Sequence, residues 1–145
     1  MALVSEGLRR SLVMMYARGL SPLGEASRLD MRVKSELWVA AYVRRCNVEG
    51  VFAAVRRRGA EEAGAIFVRV SRLDGTSDLY GPAPQTAFDD DHPADRAFSP
   101  ALNAMPARDA DVDAYLARQL RSDPDLWIIE SEDRPGRHFL DRVVR

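Results

Sequence analysis

The chain is 145 residues long, 46% hydrophobic and 30% charged, with a net charge of −1. That length suits one domain, and the composition is ordinary for a globular protein and argues against wholesale disorder. A single cysteine, Cys46, excludes an internal disulfide framework, and no apolar run approaches the ~20 residues that span a bilayer, so a cytoplasmic protein with no membrane partner is expected.

In chain order, Leu8, Leu12 and Met15 recur at helical spacing after Ser5, and Gly19, Pro22 and Gly24 then break the pattern. Residues 1–30 are therefore set apart as an N-terminal extension, either a misassigned start ahead of Met31 or a short helical arm. Residues 31–145 are expected to form a single α+β domain. A helix is predicted from Ser35, with Ser35 as its cap, Glu36 in the first turn, Arg44 and Arg45 near the end and Gly50 as the stop. Trp38, Ala41, Tyr42 and Cys46 share its apolar stripe, so Cys46 reads as an inert core thiol.

Phe52–Arg58 and Ala65–Arg72 are predicted to pair as a hairpin around Gly59–Gly64. Ile66, Val68 and Val70 alternate inward and Phe67, Arg69 and Ser71 outward. Asp74-Gly75 favours a tight turn with positive φ, leading to a third strand over Ser77–Gly81 with Leu79 inward. Residues 82–108 form a long connection punctuated by proline. A second helix is predicted over 109–121, capped by Asp109 or Asp111, followed by a strand over Leu126–Glu132. Arg134-Pro135-Gly136 has the residues of a type II turn, returning Arg137–Leu140 as that strand's partner. The expected architecture is a two-layer α+β sandwich. It has a mostly antiparallel sheet of about five strands, both helices on one face, and Trp38, Val68, Leu79, Leu116 and Trp127 buried in one core.

Several separated stretches carry a resemblance. Arg32-Val-Lys-Ser-Glu-Leu-Trp-Val, Arg72-Leu-Asp-Gly-Thr, Leu79-Tyr-Gly-Pro-Ala-Pro, Asp123-Pro-Asp-Leu-Trp and Arg137-His-Phe-Leu-Asp stand in that order. Together, over about residues 31–143, they resemble a bacterial family catalogued as domain of unknown function 1491. The resemblance implies family identity and brings no activity, cofactor or catalytic residue with it.

Three readings of function follow from the residues themselves. Neither a paired nucleophile and base nor a glycine-rich phosphate loop stands out, so the favoured reading is a small non-enzymatic module. It would bind a macromolecular partner, an unknown protein or a second copy, through its sheet face or its long loop, and no cofactor is expected. The alternative is a metal-dependent hydrolase of phosphodiesterase type built on the acidic Asp89–Asp95 loop. There Asp89, Asp91 and His92, with His138, offer oxygen and imidazole ligands suited to a hard cation that activates water. The spacing matches no established metal signature. The third reading is a nucleic-acid module.

In that third reading Arg56, Arg58, Phe67, Arg69 and Tyr80 would share an outer sheet face, stacking bases on aromatics and meeting phosphates with cations. The charge distribution weighs against it. Residues 31–72 carry nine basic and four acidic groups, and residues 73–145 eight basic and fifteen acidic. The two halves are expected to neutralise each other, with the arginines paired across strands to Asp78, Glu130 or Glu132.

Overall fold

In the computed structural model, which describes residues 33–84 and 96–145, the first element is helix α1, Ser35–Val48. Its start is capped by backbone rather than by a side chain. The N–H groups of Ser35 and Glu36 donate to the carbonyls of Glu62 and Glu61 at 3.1 and 3.0 Å, which satisfies donors that a helix leaves free. Ser35 is thus the first helical residue and not the cap: it is buried, and its hydroxyl donates to the Gly64 carbonyl at 2.6 Å.

Six strands follow: β1 (Ala53–Arg57), β2 (Ile66–Ser71), β3 (Thr76–Pro82), β4 (Phe98–Pro100), β5 (Ala107–Arg108) and, after helix α2 (Asp109–Ser122), β6 (Trp127–Glu132). They form one mixed sheet in the order β1-β6-β2-β3-β4, with β5 also beside β3. Among these six strands of the described residues, β2 and β6 run parallel and the other pairings are antiparallel. The α+β class and the mostly antiparallel sheet with two helices are as the residues predict.

The hairpin expected between β1 and β2 does not form, because β6 lies between them. Ala60 N–H donates to the Asp125 carbonyl at 2.8 Å, and Trp127 N–H to the Ala65 carbonyl at 2.7 Å. The Gly59–Gly64 loop therefore straddles the entry of β6 and holds β1 and β2 apart. The turn at Asp74-Gly75 joins β2 to β3, and Gly75 has φ of 88°.

Occupation of both sides of β6 also explains why Arg137–Leu140 forms no strand beside it. A turn closed by Gly136 N–H to the Asp133 carbonyl at 3.0 Å carries the chain away instead. It reaches α1, where Tyr42 and Arg45 bond its carbonyls, and β4, where Phe98 forms a parallel bridge with Val143.

The helices pack on opposite faces of the sheet, correcting the expected two-layer arrangement with both helices on one face. On one face Val39, Tyr42 and Cys46 of α1 meet Ile66, Val68, Val70, Ile129 and the C-terminal Leu140. On the other, Val112 and Leu116 of α2 meet Phe67, Leu79, Leu126 and Ile128. The runs Ile66-Phe-Val68 and Trp127-Ile-Ile129 are buried without interruption, as strands covered on both faces must be. Val68 and Trp127 consequently belong to one core, and Leu79 and Leu116 to the other. Trp38 is only half-buried, stacked on Tyr42 with centroids 5.2 Å apart. Residues 1–30, the expected extension, and the Asp89–Asp95 loop lie outside the described residues.

Candidate functional site

On the α2 face, where the ends of β2 and β3 meet α2 and β4, the surface opens into a groove of about 360 Å³. The buried Phe67 contributes to its lining, with Pro82 and Pro100 from the strands and Tyr115, Gln119 and Asp123 from α2 and its end. Gly81 makes this geometry possible. A Cβ there would stand 2.7 Å from Phe67 Cε1, so only glycine lets the ring lie across β3. Tyr115 presents to Phe67 at 63° with centroids 6.2 Å apart, and the Arg118 guanidinium carbon lies 5.9 Å from the Tyr115 centroid. Edge-to-face rings prefer this arrangement, and a cation near the aromatic adds a modest attraction.

Farther along the same face lies an ionic network centred on Arg69, whose side chain is only 12% exposed. Its guanidinium pairs with Asp113 and, at 3.0 Å, with Asp109 on the first turn of α2, and its Nε donates to Ser77 Oγ at 3.1 Å. Ser77 in turn donates to Asp109 Oδ1 at 2.6 Å. Asp109 is thus drawn to the sheet and does not cap its own helix; Arg108 occupies that position without a side-chain cap bond. Burial opposes the Arg69 charge, but the bonds to Asp113 and Asp109 outweigh it and raise its pKa. The Ser77 bond, followed by Arg69, holds the Asp109 carboxyl below the usual range.

The other residues singled out from the sequence are dispersed. Arg56 pairs with Glu130 at 3.0 Å on the α2 face, beside Arg69 in the register that sets Arg69 opposite Glu130. Arg58 lies elsewhere, bonded to Glu36 of α1 and 5.3 Å from the Trp127 ring centroid. Phe67 and Tyr80 are both buried, in the cores on opposite faces. The five residues therefore do not form a single outer face, because each sheet face is covered by a helix. Asp78 pairs with Arg72 at 2.9 Å rather than with the predicted arginines.

Of the four candidate metal ligands, Asp89, Asp91 and His92 lie outside the described residues. His138 packs edge-on against Tyr80 with centroids 5.1 Å apart, and its Nδ1 accepts the Leu140 N–H at 2.9 Å. Burial, then the charge of Arg145, lowers its pKa. Among the described residues no cluster of three or more metal-ligating side chains occurs. Cys46 is fully buried, and burial pushes its thiol pKa up.

Comparison with known proteins places this arrangement in a family. Residues 33–141 match the family described as protein of unknown function (DUF1491). The chain belongs to the DUF1491 family. The crystal structure of a DUF1491 family protein from Caulobacter crescentus CB15 is 37% identical, with a TM-score of 0.64 over 78% of this chain and 98% of that one. The solution structure of protein Atu0922 from A. tumefaciens is 43% identical, with a TM-score of 0.66 over 79% and 97% of the two chains. No curated protein matches.

The stretches that carried the resemblance fall at structural junctions of this DUF1491 chain. Gly81 and Pro82 of Leu79-Tyr-Gly-Pro82 line the groove, and Asp123-Pro-Asp-Leu-Trp127 links α2 to β6. Arg137-His-Phe-Leu140 lies against α1 and Tyr80. Strand alternation does not reveal the groove, because it assigns Phe67 to the outer face, whereas Phe67 is buried against α2. The available signal was the unbroken Ile66-Phe-Val68 run followed by a glycine two residues beyond Leu79. Among the described residues no helix is long and apolar enough to cross a membrane.

Proposed function

We propose that this DUF1491 domain is a non-enzymatic binding module that takes a segment of a protein partner in the groove between α2 and the β3–β4 end. The observation that carries the reading is the Phe67–Tyr115 pair held open by Gly81 and flanked by Pro82 and Pro100. Concave aromatic surfaces with a few polar groups, here Gln119 and Asp123, suit side chains of an extended segment. The charged side chains nearby support the same reading. Arg69 and Arg56 are tied to carboxylates within the domain, which leaves recognition to apolar shape and not to a phosphate backbone. The Cys46 thiol is enclosed, and the His138 imidazole spends its Nδ1 on the backbone.

A photo-crosslinking residue at position 119 tests the proposal in cells, with the same residue at exposed Ala40 on α1 as control. A discrete protein adduct from position 119 and none from position 40 is expected. No adduct at 119, or the same adduct from both positions, overturns the groove as the docking site.

A further inference from the structure

After Gly136 the chain forms a strap that closes the β4 edge of the sheet. Phe98 N–H donates to the Arg142 carbonyl at 3.0 Å, and Val144 N–H to the Phe98 carbonyl at 2.7 Å. Both outward groups of Phe98 are thereby used. α1 anchors the strap: Tyr42 donates its hydroxyl to the His138 carbonyl at 2.6 Å, and Arg45 bonds the Phe139 carbonyl and both Asp141 oxygens at 2.9 to 3.1 Å. Between these anchors Phe139 takes φ of 56°, uncommon for a bulky side chain. That turn points the Leu140 N–H back onto His138 Nδ1 at 2.9 Å.

We propose that His138 is an acid-sensitive latch on this strap: its Nδ1 accepts the Leu140 N–H only when unprotonated, and a proton there frees residues 140–144 from β4. Protonation makes Nδ1 a donor facing another donor, so the bond is lost and two hydrogens meet. The surroundings offer the new cation little. From β3, the Asp78 carboxylate favours the cation, but it is paired with Arg72 at 2.9 Å and its pull is outweighed by burial and Arg145, and Tyr80 presents its ring. From α1, Tyr42 donates to the His138 carbonyl, and Arg45 bonds the Phe139 carbonyl and Asp141. Arg145 adds like charge from the strap itself, and β4 carries no titratable side chain.

The sign follows from the lowered His138 pKa. The closed strap binds the proton less well than the open one. Its closure is complete above the ordinary histidine value and is lost as pH falls from there through the value in the closed strap. Opening exposes the N–H and C=O of Phe98 and converts a covered strand edge into an open one. This device is separate from the groove and does not rest on it.

Hydrogen exchange with an NMR titration of the two imidazoles tests the latch. His138→Asn supplies a side-chain oxygen that accepts the same i+2 N–H but does not titrate; His138→Ala supplies no acceptor. Protection factors of the Val144 and Phe98 amides, corrected for intrinsic exchange, should fall at least ~10-fold in the parent between about pH 7.5 and 4.5, following the His138 titration. They should stay constant in His138→Asn and be low at both pH values in His138→Ala. Protection retained in the parent through the whole His138 titration overturns the proposal, and so does an equal loss in His138→Asn. The parent measurement decides by itself if either variant fails to fold.

Discussion

Arg69 on β2 stands 3.0 Å from Asp109 on α2, and this pair fixes how the second helix meets the sheet. With its side chain 12% exposed, Arg69 has lost most of its water and depends on Asp109, Asp113 and Ser77 for compensation. Replacing Arg69 by methionine keeps much of the stem but leaves Asp109 and Asp113, 40% and 65% exposed, without the cation they share. A loss of about 1–3 kcal/mol is expected, the range for hydrogen bonds to charged groups. Asp113→Ala, at a position 65% exposed, should cost less than ~1 kcal/mol. Urea denaturation of the two variants checks the order; equal losses would mean that the network is held by Asp113 alone.

Acid should weaken the fold through two depressed carboxyls. Arg137 holds the Asp133 carboxyl below its usual range, aided by the backbone N–H groups of Arg137 and Gly136. Asp109 is held down by Ser77 and then by Arg69. A depressed carboxyl contributes stability that is complete above its unfolded value, near 3.9, and is lost as pH falls through the folded value. Asp133→Asn should therefore lower the denaturation midpoint at neutral pH, with the difference from the parent shrinking toward about pH 2. A gap that stays constant with pH would show that the charge of Asp133 contributes nothing.

Much of this was legible residue by residue, while the neighbours of each strand were not. The alternation of Ile66, Val68 and Val70 correctly assigns one face of β2, and Glu130, which pairs with Arg56, is one of the three acids expected to neutralise the arginines. Local pattern cannot say that β6, some sixty residues later, inserts between β1 and β2. That pairing depends on the Gly59–Gly64 loop gripping Asp125 and Trp127. Phe67 looked solvent-facing because alternation assumes one wet face. Its burial follows only once α2 covers that face. The spacing of Asp109 and Asp113, four apart on a helix, was a readable sign of a shared cation, but nothing local named Arg69.

Cys46 should behave as a core atom. It is fully buried beneath α1, and burial raises its thiol pKa, which leaves neither access nor thiolate for reaction. Ellman's reagent should label it in the native protein at least ~100-fold more slowly than in urea, with labelling governed by opening of the fold. Fast stoichiometric labelling of the native protein would place α1 away from the sheet.

The groove rests on a single missing methyl group. A Cβ at position 81 would approach Phe67 Cε1 to 2.7 Å and Cδ1 to 3.1 Å, so the ring must tilt into the space between β3 and α2. Leu116 and Tyr115 pack against one side of the ring, so a displaced ring is driven toward the groove, with strain and at the expense of the groove's own volume. Gly81→Ala should destabilise the domain by about 1–3 kcal/mol, the usual cost of overpacking. It should also abolish the adduct from position 119 while most molecules remain folded. Phe67→Leu removes the ring conflict, so the double variant should recover part of the stability without recovering the adduct. Thermal denaturation and crosslinking of the three variants separate these effects. Full crosslinking by the stably folded Gly81→Ala protein would show that the ring's position does not matter to the partner.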